Sequence, residues 1–155
     1  MSQRVVLPSS LEGKTILVAG AAGFVPSTLA EFYLNLGAKV VGLDNFITGS
    51  KSNIDLLSKY DKFDFHECNI YESLPDFSKL DIDYIFSLAS PASPIDFSEI
   101  PLEIMRVNSE GTLKLLELTR EKKARFLEAS TSEVYGDPEI HPQVEEYVGC
   151  VNPIG

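Results

Sequence analysis

The feature that most constrains the fold is a glycine turn, Gly20-x-x-Gly23, placed between an apolar run and a helical pattern. The run at residues 15–19 is typical of a buried strand. Over residues 27–36 the apolar side chains recur at helical spacing, and Gly37 is a typical helix end. A strand, a glycine turn and a helix in this order predict the first unit of an open parallel sheet. The same turn can hold the pyrophosphate of a dinucleotide at the helix N-terminus.

Strands and helices alternate along the rest of the chain. Predicted strands cover residues 39–44, 63–68, 84–89 and 124–129, predicted helices cover 52–59 and 101–122, and residues 90–94 are expected to form a rigid loop. This alternation is typical of right-handed βαβ crossovers around a sheet with helices on both faces. We therefore expect a Rossmann-type, doubly wound α/β fold of about five strands. Residues 1–155 would form one incomplete NAD(P)-binding domain, without its C-terminal substrate-binding part.

Asp44 ends the second predicted strand, roughly 20 residues after Gly23, where a carboxylate can bind the adenosine ribose hydroxyls. A carboxylate at this place disfavours a 2′-phosphate, so the pattern predicts NAD rather than NADP as the cofactor. A strand-to-helix turn that binds no ligand remains open as an alternative.

Pro26 stands where the third glycine of the dinucleotide pattern is expected. Proline is tolerated in the first turn of a helix, but it disfavours the helical conformation of the residue before it. We therefore expect Val25 to leave the helical region and the helix to begin late. Cofactor binding would then be weakened or lost.

Composition narrows the class of partner. The formal net charge of the chain is −10, which argues against a nucleic acid as the main partner. Residues 1–14 lack an apolar signal segment and no run of about 20 apolar residues occurs, so we expect no membrane span and a cytoplasmic location. Cys68 and Cys150 fit no metal-binding spacing, and no metal site is predicted.

Longer segments carry a family resemblance. General landmarks are residues 19–27 (AGAAGFVPS), 44–46 (DNF) and 108–112 (NSEGT), and more specific ones are 88–94 (LASPASP), 130–138 (STSEVYGDP), 141–143 (HPQ) and 151–155 (VNPIG). With these segments the chain resembles the extended short-chain dehydrogenase/reductases, the NAD-dependent epimerase/dehydratase family. Within that family it is most similar to the UDP-glucuronate decarboxylases.

The resemblance implies a site for NAD. By position, its cofactor-binding residues are Gly20, Gly23, Phe24, Val25, Asp44, Asn45, Asn69, Ile70, Leu88, Ala89, Ser90 and Asn108. The two glycines and the amides of Phe24 and Val25 would meet the pyrophosphate, and Asn69 and Ile70 would lie beside the adenine.

The resemblance also implies three catalytic residues, Thr131, Ser132 and Glu133. Thr131 matches the Ser/Thr of a Ser/Thr-Tyr-Lys triad, and Glu133 matches an acid/base carboxylate. Related dehydratases carry Asp in place of Ser132. Expelling hydroxide needs a general acid whereas losing CO₂ does not, so Ser132 favours a decarboxylase. These side chains could instead bond backbone groups at a strand end or be solvated.

The Tyr-x-x-x-Lys pair of the family does not occur, because Glu139 follows Tyr135 and Val151 follows Tyr147 at that spacing. We therefore expect no conversion of UDP-glucuronate to UDP-xylose and CO₂ by this chain alone, and a UDP-sugar partner only in a completed enzyme. Apolar sheet surface near residues 84–88 and 126–129 would stay uncovered. That favours a homo-oligomer or association with a full-length homologue.

Two alternatives remain open. One is a non-enzymatic truncated homologue that binds nucleotide weakly, favoured by four departures from the family pattern, at Ala19, Pro26, Asn69 and Ser87. The other is a different NAD-dependent sugar epimerase or dehydratase.

Overall fold

The computed structural model describes residues 8–151 and shows a parallel five-stranded sheet of order β3-β2-β1-β4-β5. The strands are β1 (Thr15–Ala19), β2 (Lys39–Asp44), β3 (Phe63–Glu67), β4 (Tyr84–Ser87) and β5 (Arg125–Glu128). The predicted α/β sheet of about five strands is confirmed. Two ends of the chain lie outside the described residues. Residues 1–7 belong to the N-terminus in which no signal segment is expected, and residues 152–155 belong to the last segment of the family resemblance.

Helices lie in the connections from β1 to β2, from β2 to β3 and from β4 to β5, whereas the described connection from β3 to β4 contains none. They are α1 (Phe24–Asn35), α2 (Lys51–Leu57), α3 (Pro94–Glu99), α4 (Pro101–Arg106) and α5 (Thr112–Lys122). A π-helical turn, Val107–Gly111, joins α4 to α5, so the long helix predicted over residues 101–122 is one helical segment with a local widening. Helix α3 was not predicted. It begins at the Ser93 cap, whose hydroxyl accepts a hydrogen bond from the Ile95 amide.

The central strand β1 contributes to two apolar layers, one on each face of the sheet. Ile16 and Val18 pack in a cluster with Ala30 of α1. Leu17 points to the other face and packs in a cluster with Leu115 of α5. Because successive strand residues face opposite sides, a strand covered on both faces is apolar throughout.

The expected late start of the helix at Pro26 was wrong, because α1 begins at Phe24 and includes Val25. The first N–H groups of an α-helix have no acceptor within the helix, so a proline there removes no helical hydrogen bond. Pro26 is the third residue of α1, and the Ser27 amide after it already donates to the Gly23 carbonyl at 3.1 Å. The proline is therefore accommodated without delaying the helix.

All five strands end at one edge of the sheet, where the connecting loops meet. Beyond β5 the chain forms a 3₁₀ turn, Ser132–Tyr135, and a single bridge pairs Gly136 with Cys150. The predicted uncovered surface is found on β5, where Leu127 is 47% exposed, but not at Ile85 of β4, which is fully buried. Within residues 8–151, the helices are all too short or too polar to cross a membrane.

Candidate functional site

A cavity of about 1250 Å³ opens at the carboxyl ends of the strands. Its wall contains every residue that the sequence predicted for the site, namely Gly20, Gly23, Phe24, Val25, Asp44, Asn45, Asn69, Ile70, Leu88, Ala89, Ser90, Asn108, Thr131, Ser132 and Glu133. Open parallel sheets bind ligands at this edge. The structure therefore brings the predicted residues together, while the role of each remains a prediction.

The glycine turn is shaped by contacts that exclude larger residues. Gly20 has a φ of +83°, and a Cβ placed there would lie 2.5 Å from the backbone oxygen of Leu88. The Gly20 amide donates to the Leu43 carbonyl at 2.7 Å, and the Gly23 amide donates back to the Gly20 carbonyl at 2.9 Å. Only glycine allows the turn to pass this close to the loop after β4 in a left-handed conformation.

The N-terminus of α1 is open toward the cavity. Its cap, Gly23, offers no side-chain acceptor, and no acidic residue lies in the first turn. Phe24 and Val25 are 84% and 56% exposed and line the cavity. Amides without a side-chain acceptor at a helix N-terminus attract negative groups such as phosphates.

The carboxylate of Asp44 is held at the end of β2 by two backbone amides. Its Oδ2 accepts from Ala22 at 2.9 Å, and its Oδ1 accepts from Phe46 at 2.7 Å. Phe46 adopts a φ of +57°, unusual for a residue with a side chain. Asn45, beside it, is exposed, and its Oδ1 accepts from the Ile47 amide at 3.0 Å. The carboxylate is thus fixed beside the glycine turn, with lone pairs still available to a ligand hydroxyl.

The next wall follows β3. Ile70 is buried and packs against the π-helical turn, where a Cβ on Gly111 would lie only 3.0 Å from its Cδ1. Asn69 precedes it, and Cys68, which the sequence reasoning did not assign to the site, lines the cavity beside them. Burial, with the nearby charge of Asp44, raises the pKa of the Cys68 thiol to about 11. That thiol is therefore neutral near physiological pH and a poor nucleophile.

Asn108 connects the π-helical turn to the loop after β4. Its Nδ2 donates to the Ser90 Oγ and to the Ile104 carbonyl, both at 2.9 Å. Leu88 and Ala89 precede Ser90, and the Leu88 amide continues the sheet by donating to the Ala19 carbonyl. Asn108 thus positions the wall formed by the β4 loop.

The three predicted catalytic side chains follow β5 and are exposed. Thr131 caps the 3₁₀ turn, because its Oγ1 accepts from the Glu133 amide at 3.2 Å. The Thr131 hydroxyl therefore binds a backbone amide after the strand, which was the structural alternative to a catalytic role. Thr131 also lines the cavity. Ser132 and Glu133 line the cavity beside it.

Some residues of the wall were missed by sequence reasoning. Glu128, the last residue of β5, lines the cavity next to the predicted catalytic segment. Burial raises the pKa of its carboxyl, although a hydrogen bond with Ser87 acts in the opposite direction. Its place at the carboxyl end of a predicted strand was the available signal. Phe97 of α3 and Ile104 of α4 add apolar side chains to the cavity wall.

The parallel sheet, with a glycine turn and an open helix N-terminus at its carboxyl edge, defines a Rossmann-type α/β domain. The chain belongs to the NAD dependent epimerase/dehydratase family, whose sequence model matches residues 16–153.

UDP-glucuronic acid decarboxylases are among the proteins that this chain resembles in sequence. The chain is 44% identical over 147 residues to UDP-glucuronic acid decarboxylase 1 of Xenopus tropicalis, covering 95% of this chain and 34% of that protein. It is 44% identical over 140 residues to the enzyme of that name from Arabidopsis thaliana, covering 90% of this chain and 31% of that protein. The chain therefore spans about a third of the length of these relatives, and the resemblance seen in the motifs is confirmed.

Solved structures of the family have the same architecture. UDP-N-acetylglucosamine 4-epimerase from Methanobrevibacter ruminantium M1, in complex with UDP-N-acetylmuramic acid, matches with a TM-score of 0.78 at 25% identity, over 91% of this chain and 46% of that chain. A variant of UDP-glucuronic acid 4-epimerase from Bacillus cereus, in complex with NAD and a fluorinated UDP-glucuronic acid, matches with a TM-score of 0.77. Its identity is 33%, and the match covers 88% of this chain and 46% of that chain.

Proposed function

We propose that this chain binds NAD in the cavity and is the cofactor-binding part of an enzyme that converts UDP-glucuronate to UDP-xylose and CO₂. The observation that carries the proposal is the placement of three groups in one cavity, namely the glycine turn, the open N-terminus of α1 and the carboxylate of Asp44. The similarity to UDP-glucuronic acid decarboxylases supports the choice of reaction.

The residues present fit a dinucleotide. The amides of Phe24 and Val25, at the start of α1, would hold the pyrophosphate, because they have no helical acceptor. Asp44 would accept hydrogen bonds from the ribose hydroxyls, and its negative charge would oppose a 2′-phosphate. Asn69 and Ile70 would form the adenine wall, and the loop held by Asn108 would face the other end of the cofactor.

NAD⁺, when bound, supplies the hydride acceptor for oxidation of the sugar. Thr131 would hydrogen-bond the sugar oxygen that loses its proton, and Glu133 would assist proton transfer nearby. Ser132 offers no strong acid, which suits loss of CO₂ better than loss of water. Residues 1–155 contain no Tyr-x-x-x-Lys pair to act as the base. We therefore propose that these residues alone do not catalyse the reaction. We also propose that a UDP-sugar is the substrate of the completed enzyme.

A different family reaction is the second candidate. The Bacillus cereus relative, which is 33% identical to this chain over the matched region, is an epimerase of UDP-glucuronic acid. Ser132 and the LASPASP segment at residues 88–94 favour the decarboxylase. A chain that only binds nucleotide is the third candidate, supported by the substitutions at Pro26 and Asn69 in the cavity wall.

Calorimetric titration with NAD⁺ and NADP⁺ tests the proposal. We expect the chain to bind NAD⁺ more tightly than NADP⁺. Asp44→Asn should weaken NAD⁺ binding by about tenfold, because a hydrogen bond to a charged acceptor is lost, and it should narrow the preference over NADP⁺. Asp61→Asn, at an exposed carboxylate outside the cavity wall, is the matched control. Absence of NAD⁺ binding, or equal affinity for the two dinucleotides, would contradict the proposal.

A further inference from the structure

Asn53 reaches from helix α2 back to the glycine turn. Its Nδ2 donates to the Ala22 carbonyl at 2.8 Å, and the Ser50 amide donates to the same oxygen at 3.0 Å. The Asn53 amide in turn donates to the Ser50 carbonyl at 3.1 Å. The Ala22 carbonyl, in the middle of the turn, is therefore held by two donors, the Ser50 amide just before α2 and the Asn53 side chain within α2.

The other polar group of Ala22 is bound by the last residue of β2, since the Ala22 amide donates to Oδ2 of Asp44 at 2.9 Å. Gly49 packs directly on this residue, because a Cβ built there would lie 2.6 Å from the Ala22 Cβ. Ala22 itself is fully buried, so its amide and carbonyl both require protein partners. The turn and the β2–α2 connection thus form one hydrogen-bonded unit.

This unit joins the two parts of the cavity that a dinucleotide must contact together. The glycine turn would meet the pyrophosphate, and Asp44 would meet the ribose. If the turn could move relative to β2, binding would have to order it, which lowers affinity. Asn53 does not line the cavity, so it can act on a ligand only through Ala22.

We propose that Asn53 is a positioning residue that preorganises the glycine turn for dinucleotide binding, an inference that rests on the proposed function. The role requires a side-chain donor at this place. An aspartate here would keep the shape but present a carboxylate to the Ala22 carbonyl, so Asn53→Asp removes the donor with little change in volume. Asn53→Ala removes the side chain and leaves the Ser50 amide as the only donor of the pair.

The experiment combines amide hydrogen exchange of the ligand-free chain, followed by NMR, with NAD⁺ calorimetry. In both Asn53 variants we expect the Ala22 and Gly23 amides to exchange about fivefold faster, the size expected for one hydrogen bond. Exchange at Val18, in the core, should not change. NAD⁺ affinity should fall about fivefold, and the melting temperature should fall by only about 3 °C, because one hydrogen bond is a small part of the total stability. Asp55→Ala, an exposed position on the same helix, is the matched control and should change none of these quantities.

The two readouts separate the inference from the function on which it rests. Unchanged exchange at Ala22 and Gly23 would overturn the role of Asn53, whatever the NAD⁺ affinity. Faster exchange with unchanged NAD⁺ affinity would overturn it as well, because the turn would then not limit binding. Absence of NAD⁺ binding by the original chain would refute the proposed function, and the exchange rates would still decide whether Asn53 holds the turn.

Discussion

Pro26 is buried in the first turn of α1, and its ring lines the cavity. It lacks the amide that a glycine at this position would present, so the helix N-terminus offers one donor fewer to an anion. The ring also lies close to the turn, since a Cβ built on Gly23 would be 3.1 Å from the Pro26 Cγ. Pro26 therefore acts on a ligand in two ways, because it lacks a backbone donor and because its ring fills space beside the turn. The start of helix α1 is not changed.

Pro26→Gly should tighten NAD⁺ binding by about fivefold, because it restores one backbone donor at the pyrophosphate end of the cavity. The same change should lower the free energy of unfolding by roughly 1 kcal/mol, since glycine gives the unfolded chain more freedom. Calorimetry and urea unfolding measure the two effects. Pro26→Ala restores the backbone donor but keeps a Cβ. Comparison with Pro26→Gly therefore distinguishes the effect of the missing amide from the effect of side-chain volume. If neither variant binds NAD⁺ more tightly than the original chain, the account of Pro26 is wrong.

Among the secondary-structure elements, β1 and β4 are tied together where they begin. Oδ1 of Asp83 accepts from the Lys14 Nζ at 2.7 Å, and its Oδ2 accepts from the Thr15 amide at 2.9 Å. The hydrogen bond from Lys14, followed by that from Thr15, holds the pKa of the Asp83 carboxyl below its ordinary value. The contact therefore stabilises the sheet at pH values above the ordinary carboxyl pKa, and this contribution is lost as the pH falls through the lowered value.

Asp83→Ala should reduce the free energy of unfolding near pH 7 by roughly 1–2 kcal/mol, because the Thr15 amide loses its partner. The difference from the original chain should shrink as the pH falls through the lowered pKa of Asp83, because the carboxyl of the original chain then becomes protonated and loses its charge. Urea unfolding across this pH range measures the difference. Asp81→Ala, at a nearby exposed carboxylate, provides the comparison. A difference that is independent of pH would show that the charge of Asp83 does not stabilise the sheet.

How well each element could be predicted depends on where its stabilising contacts lie. The inner strand β1 was predicted because burial on both faces makes it apolar over its whole length, as at Leu17. The outer strand β3 mixes apolar and polar residues and gave a weaker, alternating pattern. The π-helical turn left no such signal, because it accompanies a tertiary contact between Gly111 and Ile70. The start of α1 was misjudged because the residue before a proline is restricted only on average. In the site, residues of the glycine turn followed from the motif, whereas the role of Asn53 depends on where α2 packs.

On the scale of the whole molecule, residues 8–151 expose large apolar side chains at several places, and two of these surfaces lie on consecutive elements near the C-terminal end of the sheet order. One is the helical segment from α4 to α5, where four large apolar residues are between 44% and 65% exposed, namely Leu102, Met105, Leu113 and Leu116. The other is the outer strand β5, where Leu127 is 47% exposed and the strand has no neighbour on its far side within the described residues. Exposed apolar surface of this extent favours association, because contact with another chain removes it from water.

We expect the purified chain to associate at micromolar concentration, and the helical surface to contribute more than β5 because it exposes more apolar area. Leu113→Lys should therefore lower the average mass in light scattering more than Leu127→Lys does. Lys is tolerated at both positions because both side chains already face solvent. Circular dichroism of each variant would confirm that the fold is kept. A larger effect of Leu127→Lys would mean that the open sheet edge drives association, through strand pairing rather than through burial of helical side chains. A monomer at all concentrations would show that neither surface is sufficient, and that the exposed leucines are tolerated as isolated apolar residues.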